Sequence, residues 1–445
     1  MSTTPKRPPN ILWIFGDQHR GQTWSGAGDP NVSTPHLDRL AVEGISFQHA
    51  VSGCPLCCPA RGTLLTGLLP HRAVHAHEQP LDPAQPTLAT ELGRAGYHTA
   101  WFGKWHLDGG HEYESRMAFH HVPRERRGDF HTWLGYENNN SPWDCWLHGH
   151  RGDHEVPLYV LPDYETDALT DLLIAHLRER ADQTQPFFAA LSAQPPHNPY
   201  AAPAEWMQRH HPARVQLRPN VPAVPAVVDR ARRELAGYHA MIENLDWNLG
   251  RIRTALTDLG LARDTIIVFF SDHGDMHGSH GQFLKMCPWE EAIRVPCVIG
   301  GETPFYERRQ GRLDDPFSLV DLAPTTLGLC GLNPPDWMQG YDYASRWRPD
   351  RPAATPAPEV ALLQCVTPTG HDDSVDRPWR GLITRDRWKY VCLEHQPWLL
   401  FDLSTDPYEQ VNLAHNPRHA AQRRRLHDAL AAELARVGDT FALPD

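Results

Sequence analysis

The stretch Cys54-Pro-Leu-Cys57-Cys58-Pro59-Ala60-Arg61 gathers three of the chain's nine cysteines beside two prolines and an arginine. Three chemistries fit such a cluster: a metal knuckle, a redox pair, or one special thiol with small neighbours. A zinc knuckle needs a second ligand pair downstream at suitable spacing, and none follows. Cys54 and Cys57 have redox-pair spacing, but Cys58 and the surrounding pattern do not match a thioredoxin-type site. For the third reading, Pro59-Ala-Arg-Gly-Thr-Leu-Leu reads as the first turns of a helix. That places Cys57 or Cys58 at a helix N-terminus, where a thiolate is favoured.

A second set of residues suits a cation. Asp17-Gln18 and Asp272-His273 each close a short apolar run. Two carboxylates, an amide oxygen and an imidazole form a mainly oxygen ligand set for a divalent ion. The alternative is a strand-end aspartate that only caps the next helix. Lysine usage adds a third clue. Of 42 basic residues only Lys6, Lys104, Lys285 and Lys389 are lysine. A compact ammonium kept in an arginine-rich background suggests a position where a planar guanidinium does not serve.

Four apolar runs must position these groups. Residues 10–15 precede Asp17, 97–102 precede Lys104 and His106, 186–191 precede His197, and 265–270 precede Asp272. They do not alternate with polar residues and are bounded by turn residues, as buried parallel strands are. Ligands of an open α/β sheet bind at the carboxyl ends of its strands, so four such runs imply one shared site. Between the last two lies an apolar stripe of helical spacing, Leu235, Tyr238, Ile242, Leu245, Leu249, Ile252, Leu256 and Leu259, ending near Gly260. Residues 167–180 read as another helix. The expected fold is α/β: a large, mostly parallel, doubly wound sheet flanked by helices. The proline-rich stretch 348–358 marks a boundary. The expected division is therefore a catalytic unit at 1–350 and an α+β subdomain at 351–445. The latter carries short strands near 359–364, 381–384 and 388–393 and a final helix over 417–437.

Composition narrows the class. The net charge of -12 argues against nucleic-acid binding. No run of about 18 apolar residues appears, so no membrane span is expected. The N-terminal sequence MSTTPKRPPN leads only into the short run Ile11–Phe15, too brief for an export signal core. With scattered cysteines, a reducing cytoplasm is the expected location.

Cys57-Cys58-Pro59-Ala60-Arg61 with the following Gly62-Thr-Leu-Leu-Thr-Gly67 resembles the C-x-P-x-R signature of the type I sulfatases, members of the alkaline phosphatase superfamily. The stretch 96–106, ending Gly103-Lys104-Trp105-His106, resembles their second signature. Ser271-Asp272-His273-Gly274-Asp275 with Lys285 resembles their late metal-binding segment, and Phe401-Asp402-Leu403 with Asp406-Pro407 their C-terminal segment. The resemblance covers nearly the whole chain in order. It implies that a formylglycine-generating enzyme oxidises Cys57 to formylglycine, whose hydrate attacks the sulfur of a small sulfated substrate and then expels sulfate. It implies that Asp17, Gln18, Asp272, His273 and the modified Cys57 hold one divalent cation, calcium first and manganese second. Arg61 then supports the nucleophile, Lys104 and Lys285 neutralise sulfate oxygens, and His106 and His197 move protons. Cys54 and Cys58 become small neighbours. Asp-Gln with Asp-His also resembles the phosphonate monoester hydrolase and phosphodiesterase branch, which uses the same formylglycine. Residues 119–154, rich in Trp, His and Asn, are expected to form a loop that selects the organic half of the substrate.

Overall fold

In β1 (Asn10–Gly16) the side chains of Ile11, Trp13 and Phe15 join one core, and those of Leu12 and Ile14 join another. That period-two split explains why the run does not alternate with polar residues: helices cover both faces of its sheet. On the first face lie the helices Cys57–Thr66, Leu88–Arg94 and Leu322–Leu329. On the second lie Pro35–Glu43, Glu165–Arg180 and Pro225–Asp258. The computed structural model describes residues 8–112, 116–302, 311–348, 351–369 and 375–444.

The remaining strands are β2 (Ile45–Phe47), β3 (His98–Lys104), β4 (Thr132–Tyr136), β5 (Trp146–Arg151), β6 (His154–Val160), β7 (Phe187–Ala193), β8 (Thr265–Ser271), β9 (Cys297–Gly300), β10 (Gly311–Leu313), β11 (Val360–Cys365), β12 (Trp379–Thr384), β13 (Trp388–Leu393) and β14 (Gln396–Asp402). Ten of these fourteen strands form one sheet in the order β10-β2-β9-β8-β1-β7-β3-β4-β5-β6. Its centre, β8-β1-β7-β3, consists of the four runs read from the sequence, all parallel and all neighbours. Their carboxyl ends therefore open on the same edge. Strands β9 and β5 run antiparallel to both of their neighbours, so β2 and β6 beyond them run with the centre. The segment 119–154 is thus not a plain loop, because β4, β5 and the start of β6 lie within it and extend the sheet.

The second sheet, β11-β12-β13-β14, is antiparallel throughout. Leu362, Leu382, Tyr390 and Leu400 on one face pack on Leu426, Leu430 and Leu434 of the last helix, Ala420–Val437. Leu363, Trp379, Val391 and Phe401 on the other face pack on Leu56, Met286 and Ile293. Leu56 and Met286 adjoin Cys57 and Lys285, so this sheet backs the segments that present them. Gln364 N–H also donates to Gly53 O at 2.6 Å, and Trp379 Nε1–H to Met286 O at 3.1 Å. The expected division lies between residues 350 and 351; residues 349 and 350 lie outside the described residues, as does Lys6.

Lys389 on β13 also serves this contact. Its buried ammonium lies 3.0 Å from Glu290 Oε1 and 2.5 Å from Glu409 Oε1, and donates to Pro288 O at 2.8 Å. Burial pushes the Glu409 carboxyl up to about 8. Burial acts on Glu290 in the same sense, but Lys389 and Arg294 hold it below its ordinary value. Removing the ammonium leaves two buried carboxyls facing each other. Lys389→Met should therefore lower the free energy of unfolding by ~3–5 kcal/mol in urea denaturation. An unchanged urea midpoint would show that the cluster holds nothing together.

Candidate active site

The helix Cys57–Thr66 begins after Leu56, whose backbone is extended (φ -153°, ψ 134°), and ends at Gly67 in the left-handed region (φ 65°). Proline fits its first turn because the N–H there has no intrahelical partner. Every residue of this helix is buried. It points its N-terminus at the carboxyl ends of β1, β8, β7 and β3.

Arg61 joins all four. Its Nη2 lies 3.2 Å from Asp17 Oδ2, just beyond β1, and its Nε 3.2 Å from Asp272 Oδ2, just beyond β8. Its Nη1 donates to Lys104 O on β3 and to Ser192 Oγ on β7, both at 2.9 Å. The sequence reading placed Arg61 beside the nucleophile. It did not foresee the clasp, because Ser192 lies inside an apolar run and offers no pattern.

Asp17 is the electrostatic hub. Its Oδ2 also meets Lys104 Nζ at 2.8 Å, and its Oδ1 faces His273 Nε2 at 3.4 Å and Cys57 Sγ at 3.6 Å. Burial alone would push its carboxyl up, but Lys104, Arg61 and His273 hold it well below the usual carboxylate range. Burial disfavours the Lys104 ammonium, yet Asp17 and Cys57 raise its pKa overall. His273 Nδ1 lies 2.9 Å from Gly274 O, which can only accept, so Nδ1 carries a proton. Nε2 is left facing Cys57 Sγ at 3.1 Å. Burial lowers the His273 pKa, but Asp272 and Cys57 raise it on balance.

The three neighbouring thiols differ in surroundings. Burial pushes Cys54 and Cys58 far up. Cys57 is equally buried, and Asp17 also pushes it up, but Lys285, Lys104 and His273 bring its pKa below the ordinary thiol value. Of the three, Cys57 is the one aimed into the charged centre.

Asp17, Cys57, Asp272 and His273 each offer a ligand atom, all within 4.8 Å of one another and all buried. Two carboxylates and an imidazole nitrogen already oriented by a carbonyl suit a hard or borderline divalent ion. Gln18 sits beside them. Its backbone is left-handed (φ 71°), its Oε1 accepts from Lys285 Nζ at 2.6 Å, and its Nε2 donates to Asp275 Oδ2 at 2.5 Å. Tyr200 OH donates to the same carboxylate oxygen at 2.5 Å. Sequence reading gave no role to Asp275 or Tyr200, although Asp275 stands within the quoted motif.

Lys285 is held between Leu284 (φ 62°) and Met286 (φ 75°), both in the left-handed region. Such backbone at bulky residues persists where surrounding structure imposes it, often at functional sites. Its Nζ also lies 2.9 Å from His197 Nε2, while His197 Nδ1 donates to Asn198 O at 2.7 Å. His197 is therefore neutral, and burial followed by Lys285 pushes its pKa well below the ordinary value. His106 (φ 57°) is buried with neither ring nitrogen hydrogen-bonded, and burial with Lys104 also pushes its pKa well down. Glu137 at the end of β4 fixes the loop after His106, accepting from the backbone N–H groups of Leu107, Asp108, Gly109 and Gly110.

A polar cavity of about 360 Å³ lies to one side, lined by Glu112, Arg116, three consecutive asparagines at 138–140 and Asp144. Gln194, just beyond β7, donates to Asn140 Oδ1 at 2.7 Å and accepts from Asn139 N–H at 2.9 Å, which connects this wall to the strand ends.

The family described as Sulfatase matches residues 9–332, and the family described as N-sulphoglucosamine sulphohydrolase, C-terminal, matches 278–436. The chain belongs to the sulfatase family. These are the hydrolases of sulfuric esters. This sulfatase is 34% identical to an ulvan-active sulfatase of Formosa agariphila, over 98% of this chain and 83% of the relative. A solved structure from Bacteroides fragilis, named as the sulfatase yidJ, superposes with a TM-score of 0.86 at 26% identity, covering 99% of this chain and 98% of the other. The fold is also shared with a phosphonate monoester hydrolase of Agrobacterium radiobacter, with a TM-score of 0.76, 23% identity and 96% of each chain covered. Among the described residues, no helix is long and apolar enough to cross a membrane.

The clasp makes a prediction about stability. In chelator, Arg61→Ala leaves Asp17 and Asp272 without their buried guanidinium and should lower the unfolding free energy by ~3–5 kcal/mol. Arg61→Lys should restore little, because one ammonium cannot reach four acceptors in a plane. Urea denaturation checks both variants, and a loss below ~1 kcal/mol for Arg61→Ala would contradict the clasp.

Proposed function

We propose that this sulfatase hydrolyses its ester through formylglycine made from Cys57, beside one divalent cation. The observation that carries the reading is that Cys57, of three adjacent buried cysteines, faces Asp17, His273 and two lysines. Asp17, Asp272 and His273 would hold the cation, with Gln18 as a further oxygen donor and calcium or manganese as the ion. When bound, it would withdraw charge from the oxygen at position 57 and make that oxygen nucleophilic near neutral pH.

The remaining steps belong to the protein's own groups. An ammonium has three N–H donors. Lys285 directs two at Gln18 and His197, and Lys104 directs one at Asp17. Donors therefore remain on both lysines to meet the non-bridging oxygens of a tetrahedral anion, where charge shifts as the ester bond breaks. His106 has both ring nitrogens open, so it is the group that exchanges a proton with the leaving alcohol oxygen. His197, with one nitrogen on a carbonyl and the other on Lys285, positions that lysine and is held neutral for a proton transfer during sulfate release. The cavity beside Asn138, Asn139 and Asn140 receives the organic half.

Mass spectrometry of the active protein should show the sulfur at position 57 replaced by an aldehyde oxygen, and Cys57→Ala should be inactive. Full activity in protein that carries only the unmodified thiol would overturn the proposal.

The pairing of Asp17-Gln18 with Asp272-His273, and the fold shared with a phosphonate monoester hydrolase, favour one second reading: a phosphonate or phosphate diester as the preferred substrate. Matched aryl sulfate and aryl phosphonate esters separate the two by their kcat/KM ratio. The sulfate ester should win, and a ratio favouring the phosphonate would reverse the assignment.

A further inference from the structure

Cys58 has a place of its own. Its side chain turns away from Cys57, and its Sγ lies 3.6 Å from His77 Nδ1. The His77 ring stands edge-on to His106, with centroids 5.1 Å apart. Ligand atoms of Cys58, His77 and His106 all lie within 4.8 Å of one another. The sequence offered no second ligand pair for a knuckle at residues 54–58. Folding supplies one from two different loops.

His106 gives this cluster its direction. It is 1% exposed, and neither ring nitrogen has a hydrogen-bond partner. A buried imidazole normally satisfies at least one of its nitrogens, so an unsatisfied one signals a missing partner. A thiol and two imidazoles form a soft ligand set, unlike the carboxylate-rich set at Asp17 and Asp272. They match a zinc site with three protein ligands and an open fourth position. Cys58 Sγ also accepts the Glu78 N–H at 3.3 Å, which fixes where the sulfur points. Lys104, close to His106, opposes a cation there, but its charge is offset by Asp17 at 2.8 Å.

We propose that Cys58, His77 and His106 form a second metal site, selective for a soft divalent ion of the zinc type, and that filling it switches the enzyme off. On binding, Cys58 S–H gives up its proton as the metal–sulfur bond forms, and His77 and His106 bind through neutral ring nitrogens. One proton is released per ion. The ion then occupies the His106 nitrogen that would otherwise serve the leaving alcohol. The inhibition rests on the role of His106 under the proposed function, whereas the binding does not.

Cobalt(II) reports the binding separately from activity. Full-length Cys57→Ser protein removes the other thiol near the centre, so a sulfur-to-cobalt charge-transfer band in its spectrum must come from another cysteine. The band should appear and then vanish in Cys57→Ser/Cys58→Ala, whatever cobalt the carboxylate centre also binds. His77→Ala in the Cys57→Ser background should weaken cobalt binding by about tenfold or more. Absence of the band in folded Cys57→Ser protein, or its survival in the double variant, would overturn the site. In the formylglycine-bearing enzyme, zinc should inhibit, with each protein's turnover normalised to its own zinc-free rate. Cys58→Ala should raise the inhibiting concentration about tenfold or more. Equal sensitivity in the two proteins would place inhibition at the carboxylate centre and overturn the switch.

Discussion

A single buried guanidinium determines where everything else in this site can be. Arg61 reaches the ends of four adjacent parallel strands, two through carboxylates, one through a backbone carbonyl and one through a hydroxyl. Asp17 and Asp272 would otherwise be two anions buried beside each other, and burying an uncompensated charge costs several kcal/mol. Arg61 lies on the same helix as Cys57, so the contact that offsets the carboxylates also sets the position of Cys57. A displaced helix would break both functions together. The antiparallel C-terminal sheet adds rigidity from behind, through Leu56 and Met286, the neighbours of Cys57 and Lys285.

Around this clasp the charges are arranged in pairs. Asp17 faces Lys104, Asp272 faces Arg61, and Lys285 is shared by Gln18 and His197. The centre is dense in ionised groups, yet each meets a group that tolerates its charge. This arrangement distinguishes Cys57, on which Lys285, Lys104 and His273 act together, from Cys54 and Cys58, where burial dominates. A thiol is only the precursor in a formylglycine enzyme. The same positive surroundings would favour the negative charge that develops on an oxygen at that position.

Much of this was legible in the sequence, for identifiable reasons. The four central strands are uniformly apolar because helices cover both faces of the sheet, and such runs are conspicuous. Asp17, Lys104, His197 and Asp272 were found because each follows one of those runs. The helix Pro225–Asp258 was found because its apolar stripe keeps helical spacing, with Gly260 (φ 70°) just beyond its end. Strands β2, β9 and β10 were missed because three or four residues carry no periodic signal. Strands β4 and β5 fall in the stretch expected as loop because Gly135, Gly149, His148 and His150 interrupt their apolar pattern, and β6 begins at its last residue, His154. Ser192, Tyr200, Glu137 and His77 were missed because their roles exist only in three dimensions: each acts on a residue far away in the chain. Lys389 was counted among the rare lysines, and the structure gives it a place in holding the C-terminal sheet to the rest.

The central claim is that the clasped strand ends and residue 57 surround one cation. Anomalous diffraction from crystals of the formylglycine-bearing protein grown with manganese tests it most directly. The account predicts one strong anomalous peak within coordinating distance of Asp17, Asp272, His273 and residue 57, with Arg61 still on both carboxylates. A peak elsewhere, or an empty centre with Lys104 alone opposite Asp17, would contradict it.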